Sequence, residues 1–489
     1  MRLEFDFNNM FSFNIGPRHG ASEKELAKMS VTIRKAHRHL TSIISDAYNR
    51  INLGLEWVSL PFQDKKSVQG IQRLGNQIAH KYGNVIFLGI GGSFLGLKAA
   101  GDALCPPYYN EFSGLRKNRA KIYFEGNNLD PDTLTALLKN LNPGKTFVIV
   151  ISKSGETAET RAAFMVVENW LKKGLGQTYG RQVIAITDPT RGTLRRYIEE
   201  RQKKDKLSFR SLPLLKGVGG RFSELNIGLL HLAIAGIDIR EVLEGAKAMF
   251  KRCSSPGLFR NPAYMYATLQ NILYRKKGKS VAVIMPFSET LKSTADWYVQ
   301  LLAESLGKKY GRKINITAEG KEIWQQDKSR AVNLGRTPVS SRGTNDLHSI
   351  QQNNIEGRND KTITFIKVQN FKSDIEIPAT KGILSGKKFS ALIKLAQEAT
   401  EWALVRESRP NCSIIMPQVN PFCWGQLIFF FEMATAFEAE LLNINAFDQP
   451  GVEGYKNYMY CRLGKTGLPS KVVQEIKAHP LRKEKKFII

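Results

Sequence analysis

The sequence predicts an α/β protein with two doubly wound parallel sheets, a helical N-terminal lead-in and a C-terminal helical arm. Three observations carry that expectation. Near-continuous apolar runs of strand length alternate with amphipathic stretches of helix length, the pattern of strands covered on both faces. That alternation starts a second time past residue 240. And 489 residues exceed what one core organises, so two domains are expected.

The elements follow in order. Residues 1–60 read as the lead-in, because Leu26, Ile33, Ala36, Leu40, Ile43 and Ile44 recur at helical spacings. Residues 61–240 read as the first α/β domain, with strands VIFLGI (85–90), KIYFEG (121–126), TFVIVIS (146–152) and QVIAIT (182–187). A helix over 158–171 is expected to bury the stripe Ala162, Met165, Val166 and Trp170. Residues 241–445 read as the second α/β domain, with strands SVAVIMPF (280–287), INITAEG (314–320) and TITFIKV (362–368) and a helix over 288–306. Residues 446–489 read as a loop and a last helix, capped by Ser470, with Val472, Val473 and Ile476 on one face.

Composition narrows the function classes. Hydrophobic residues at 42% and aromatics at 10% exclude a disordered chain. No apolar run reaches the roughly 18 residues that span a bilayer. The opening MRLEFDFNNM lacks the apolar segment of a secretory leader. Five cysteines, odd in number and never CxxC, argue for reduced thiols in the cytoplasm and against zinc or disulfides. The net charge of +28 favours anionic partners. Its lysines and arginines are scattered rather than interleaved with aromatics, which argues against nucleic acid and for a field that attracts phosphorylated metabolites.

In a doubly wound sheet ligands sit beyond the carboxyl ends of the strands, so turns there are the places to search. GIGGSFLG (89–96) follows the first strand of the first domain. It fails as a dinucleotide fingerprint, since Phe94 holds the sixth position and no acid stands about twenty residues on. GKT occurs at 144–146 and 464–466, but Lys139 and Met459 replace the first glycine of a nucleotide-binding loop. What remains is a turn whose amides and Ser93 hydroxyl suit a small anion, or simply a tight turn with helix-packing glycines. SKSGETAET (152–160) is the sharper candidate: Ser152, Ser154 and Thr157 supply hydroxyls, Gly155 lets backbone approach, and a helix N-terminus follows. A capping cluster stays open as its reading, because Ser and Thr cap helices anyway. Gln300 and Glu304 share a helix face, and Glu304 with Lys308 is also a plain surface ion pair. Arg221 in GGRFS starts a helix, where a cation is unfavourable unless an anion is near. His348 is otherwise a loop histidine, and Lys456 one surface lysine among many.

Taken together and in this order, GIGGSFLG, SKSGETAET, GGRFSELNIGLLHLAIAGID, DWYVQLLAESLGK, GTNDLHS and FDQPGVEGYK resemble the glucose-6-phosphate isomerase (phosphoglucose isomerase) family, in its bacterial form. The resemblance covers about 85–456. It implies two sugar-isomerase (SIS) domains and reversible conversion of glucose 6-phosphate and fructose 6-phosphate through a cis-enediolate, with no cofactor and no metal. Carried over residue by residue, Ser152, Lys153, Ser154 and Thr157 would hold the phosphate, with Gly92 and Ser93 lining the same pocket. Glu304 would be the base and Arg221 would stabilise the enediolate. Gln300 and Gln449 would touch the substrate, and His348 and Lys456 would serve ring opening. His348 would come from the neighbouring subunit of a homodimer with shared sites. Pro450 and Gly454 stand where the family more often has other residues. A sugar-phosphate-binding regulator on the same fold, and an isomerase also acting on mannose 6-phosphate, are the alternatives.

Overall fold

The structure, a computed structural model, describes residues 1–489. The chain divides into two units, Met1–Ala446 and Phe447–Ile489. The first begins with a short strand, β1 (Glu4–Asp6), and a series of helices. Among these, Ser30–Ser45 buries Ile33, Ala36, Leu40 and Ile43, as the spacing requires, while Ile44 is only half-buried.

The first sheet consists of β2 (Asn84–Leu88), β3 (Lys121–Glu125), β4 (Thr146–Ile151), β5 (Val183–Thr187) and β6 (Arg210–Pro213). All run parallel, in the order β3-β2-β4-β5-β6. Successive side chains of a strand point to opposite faces, so each apolar run feeds two cores. Val85, Phe87, Phe147 and Ile149 pack with Leu97, Ile227 and Leu230. The alternate residues Ile86, Leu88, Val148 and Val150 pack with Phe164, Val167, Leu171 and Ile198. The strand order reverses between β2 and β4. That switch point opens a crevice at the carboxyl ends of those two strands, from which GIGGSFLG and SKSGETAET leave.

In helix Ala158–Leu175 the expected stripe is wrong. Thr160, Ala163, Phe164, Val167 and Leu171 are buried, while Met165 and Val166 are 60% and 50% exposed. The run AAFMVV offers two overlapping apolar stripes, and the helix presents to the sheet the one that includes Phe164. Strand β6 escapes sequence reading because RSLP is short and partly polar.

The second sheet is built from β7 (Val281–Pro286), β10 (Thr337–Ser340), β11 (Lys361–Asn370) and β12 (Asn411–Gln418), all parallel, with β1 antiparallel on the edge of β12. INITAEG does not join it. Those residues lie in β8 (Lys308–Ile316) and the turn after it, and β8 pairs antiparallel with β9 (Glu322–Leu334) as a separate hairpin. Its turn closes with Thr317 N–H on the Lys321 carbonyl at 2.8 Å, and Gly320 takes φ +73° there. With Ile316 61% exposed, the run alternates but builds no core. The vacant edge beside β7 is filled by β10, whose Pro338 suits an edge strand and hides it from a sequence search.

Two helices apolar all round, Glu224–Ala235 and Pro421–Leu442, are almost wholly buried. No helix is long and apolar enough to cross a membrane. In the second unit the last helix is Ser470–Ala478, with Val472, Val473 and Ile476 half-buried. Ser470 is its first residue rather than its cap: Pro469 holds the cap position, with φ already suited to a helix entry, and no side chain bonds there.

Candidate active site

At the end of β4 the chain turns through Ser152–Thr157. Ser152 is buried, and its Oγ accepts the Gly155 N–H at 3.0 Å; Ser154 Oγ accepts the Glu156 N–H at 3.1 Å. The carbonyl side of the turn is tied to the next crossover. Thr187 Oγ1 donates to the Ser152 and Lys153 carbonyls at 2.7 and 3.2 Å, and Thr193 N–H donates to the Ser154 carbonyl at 2.8 Å. Gly155, at φ +76°, is required, because a Cβ there would lie 2.5 Å from the Leu194 amide nitrogen. Thr157 is the N-cap of helix Ala158–Leu175, yet its side chain makes no cap bond, and Lys153 and Ser154 are exposed. The capping reading therefore leaves Thr157 unused, while a helix N-terminus and three hydroxyls gather at one turn.

The glycine turn after β2 has a different task. A single 3-10 turn, Gly91–Ser93, leads into helix Leu95–Leu104. A Cβ on Gly92 would stand 2.0 Å from the Gly220 carbonyl oxygen and 2.7 Å from the Arg221 amide nitrogen. Gly92 is thus the close approach that seats the turn bearing Arg221 against the first sheet. A Cβ on Gly91 would come 3.1 Å from Gln300 Nε2. Ser93 is half-buried, and its hydroxyl makes no hydrogen bond within the chain.

Arg221 does not start the helix. It lies in a 3-10 turn, Gly220–Phe222, ahead of helix Glu224–Ala235, and is 2% exposed. A guanidinium taken out of water demands partners for its whole fork. Its Nε donates to Ser305 Oγ at 2.8 Å, Nη1 to Glu304 Oε2 at 3.1 Å, and Nη2 to the Ala446 carbonyl. Gln300 Nε2 donates to Glu304 Oε1 at 3.1 Å, so the helical i,i+4 spacing is used. Gln300 Oε1 is buried and receives no hydrogen bond, so its acceptor capacity is unused. Lys308 is not a surface partner: it is buried, with Nζ on the Glu304 backbone carbonyl at 2.7 Å. One carboxylate, 29% exposed, therefore sits against a fixed cation beside an unsatisfied amide oxygen.

The structure thus brings together Gly92, Arg221, Gln300 and Glu304, with the Ser152–Thr157 turn on the adjoining strand. Ser305 and the Ala446 carbonyl complete the arginine fork, and sequence reading misses both; neither residue type signals such a role. His348 is exposed at the end of the turn Asn345–His348, and its side chain makes no hydrogen bond or ion pair within its own chain. In the second unit Gln449 precedes the short turn Pro450–Val452, and Lys456 on helix Glu453–Arg462 pairs with Glu453 at 3.0 Å.

Residues 72–460 match the family model described as phosphoglucose isomerase. The chain is 36% identical to the glucose-6-phosphate isomerase of Carboxydothermus hydrogenoformans over 496 aligned residues, covering 100% of both. It is 34% identical to that of Symbiobacterium thermophilum, covering 92% of this chain and 95% of the relative. Among solved structures it resembles a hypothetical protein from Thermus thermophilus, with 31% identity and a TM-score of 0.77 over 94% of this chain and 100% of that one. It shares its fold with a glucose-6-phosphate isomerase from Chlamydia trachomatis, at 23% identity and a TM-score of 0.68, over 87% of this chain and 81% of that one.

Proposed function

We propose that this chain, which belongs to the phosphoglucose isomerase family, interconverts glucose 6-phosphate and fructose 6-phosphate, the aldose–ketose step of glycolysis and gluconeogenesis. The observation that carries the reading is the Arg221–Glu304 contact at 3.1 Å, seated on the glycine turn that flanks the switch point. Ser152, Lys153, Ser154 and Thr157 hold the phosphate at the second turn of that crevice. Glu304 takes the proton from C2 of the open-chain aldose and returns it to C1, while the hydroxyl proton passes from O2 to O1. A negative charge grows on oxygen between those steps, and a guanidinium already fixed by Ser305 and Ala446 meets it without reorganising. Gln300 supplies its unsatisfied amide oxygen to a sugar hydroxyl, and Gln449 is a further substrate contact.

Ring opening needs an acid and a base at the ring oxygen and the anomeric hydroxyl, roles that suit His348 and Lys456. We assign His348 to the site of a neighbouring copy in a homodimer; its exposure and the lack of any partner for its imidazole in its own chain support this. Migration of the intact protein at the 55.0 kDa of a single chain in gel filtration at assay concentration would remove that assignment.

The test of the reaction is fructose 6-phosphate conversion by the wild type beside Glu304→Gln. Loss of the proton-transfer carboxylate is expected to lower kcat by at least about 10²-fold while the isosteric amide keeps the fold. An inactive wild type overturns the function, and a fully active variant overturns the base.

A further inference from the structure

Beside the Ser152–Thr157 turn lies a cavity that the isomerisation leaves unused. Its volume is about 290 Å³, at the lower end of ligand pockets, which start at roughly 300 Å³. It lies on the face of the first sheet covered by helices Ala158–Leu175 and Thr193–Lys204. Each helix turns one side to it. Arg161, Phe164, Met165 and Glu168 line it from the first helix, at the spacings that share a helix face. Leu194, Tyr197 and Arg201 do the same from the second. Phe164 and Leu194 are buried walls, and Met165, 60% exposed, is an adaptable one at the rim. Gly92, Arg221, Gln300 and Glu304 take no part in the lining, so the cavity is separate from the crevice that holds them.

The charges decide what fits. Glu168 is spent: its Oε1 accepts the Tyr179 hydroxyl at 2.7 Å and the Tyr197 hydroxyl, and Arg201 Nη2 stands 3.6 Å from it. Arg201 is likewise held, with Nε on the Tyr197 hydroxyl at 2.9 Å and its guanidinium 4.9 Å from the centre of that ring. Arg161 is different. Its nearest carboxylate oxygen, Glu156 Oε1, is 4.0 Å away and already accepts the Thr193 hydroxyl. Two guanidiniums and one carboxylate thus border an apolar slot, and Arg161 has donors left to give. We propose that this cavity is a second ligand site, for a small planar anion whose apolar body lies between Phe164 and Leu194 and whose carboxylate meets Arg161.

Contacts without slack join this site to the serine turn. Thr193 N–H donates to the Ser154 carbonyl at 2.8 Å, and a Cβ on Gly192 would lie 2.7 Å from that oxygen. A Cβ on Gly155 would lie 2.5 Å from the Leu194 amide nitrogen. A ligand pressing on Leu194 therefore displaces Ser154 and Gly155, and its occupancy weakens the hold on the sugar phosphate. That consequence rests on the isomerase reading; the binding does not.

The probe is benzoate, with benzamide as its uncharged counterpart and acetate as the anion without a ring. Binding to the full-length protein is followed by ligand-observed NMR titration, beside Arg161→Gln and Met165→Glu. Both positions are exposed, so neither change disturbs the core, and the carboxylate brought by Met165→Glu lies one helical turn from Arg161 and takes up its charge. Benzoate should bind the wild type with a Kd of about 1–10 mM, and either variant at least about tenfold more weakly. Benzamide forfeits the charged contact and acetate the apolar one, so each should bind about tenfold more weakly than benzoate. In fructose 6-phosphate turnover, benzoate should raise the wild-type KM to a plateau about fivefold higher, with kcat within about twofold. Half of that rise should need at least about tenfold more benzoate in Arg161→Gln. No benzoate binding up to about 50 mM, or equal binding by the variants, overturns the site. Equal binding of benzamide overturns the anion. A KM that climbs without a plateau puts benzoate in the crevice itself and overturns the coupling, as does a KM that stays flat while benzoate is bound. An inactive wild type would refute the isomerase reading, and the titrations would still decide the site.

Discussion

The serine turn after β4 and the arginine turn before helix Glu224–Ala235 face the same chemistry with opposite constructions. The serine turn keeps its candidate phosphate donors local: Ser152 and Ser154 hydroxyls bond only the Gly155 and Glu156 amides, Lys153 and Ser154 remain in water, and the ties to Thr187 and Thr193 hold its carbonyls and the Glu156 side chain. The arginine turn is non-local: a buried guanidinium reaches Ser305, Glu304 and Ala446, and Gly92 of the turn after β2 seats it. The difference follows from what each must do. A phosphate dianion brings its own charge and needs donors that can adjust as it enters. An enediolate exists only in passing, so the charge that meets it has to be in place beforehand.

The comparison breaks first at Arg221→Lys. A single ammonium cannot fork to a hydroxyl, a carboxylate and a carbonyl at once, so part of the buried network is left unpaired. We expect kcat to fall by about 10²- to 10³-fold with a much smaller change in KM, measured by steady-state turnover of fructose 6-phosphate. A rise in KM alone would place Arg221 with the binding groups and erase the distinction.

Gly92→Ala tests the seat rather than the charge. The new Cβ would lie 2.0 Å from the Gly220 carbonyl, a backbone atom with no flexible end to yield. The arginine turn must shift by about an ångström, and displacement on that scale costs about tenfold to 10²-fold in kcat. In the double variant with Arg221→Lys the two losses should not add, since both act on one contact. Full additivity would separate the glycine turn from the arginine.

The same division decides what can be read in the sequence. SKSGETAET announces itself because its chemistry lies within a few residues after an apolar strand, and the parallel strands announce themselves by continuous apolar runs. The Arg221 fork is assembled from residues 83, 84 and 225 positions away, and no local pattern records that. The glycines of GIGGSFLG are visible in the sequence, but their purpose is not: Gly92 admits Gly220, and Gly96 admits Glu224. The misread elements have the same origin. INITAEG alternates like a strand of the main sheet and reads as one, because its true partner, β9, follows only after a turn. Helix Ala158–Leu175 carries apolar residues on two adjoining stripes, and tertiary packing selects between them. The long polar residues buried in the second half, Arg336 with Glu438 and Arg312 with Glu440, look like surface charges in one dimension.

The smallest effects belong to the serine turn, and they test its half of the comparison. Ser154→Ala removes a hydroxyl that accepts the Glu156 N–H and that a phosphate oxygen would engage. A hydrogen bond to a charged group corresponds to roughly tenfold in affinity, so KM should rise by about that factor while kcat stays within about twofold. Lys153→Ala acts through an exposed charge, and its KM increase should shrink as salt shortens the reach of that charge. The Ser154→Ala increase should persist in the same salt series, because a short hydrogen bond is not screened in that way. A kcat loss in Ser154→Ala as deep as that of Arg221→Lys would mean that the phosphate turn also sets the geometry of proton transfer, and that binding and chemistry are not divided between these two turns.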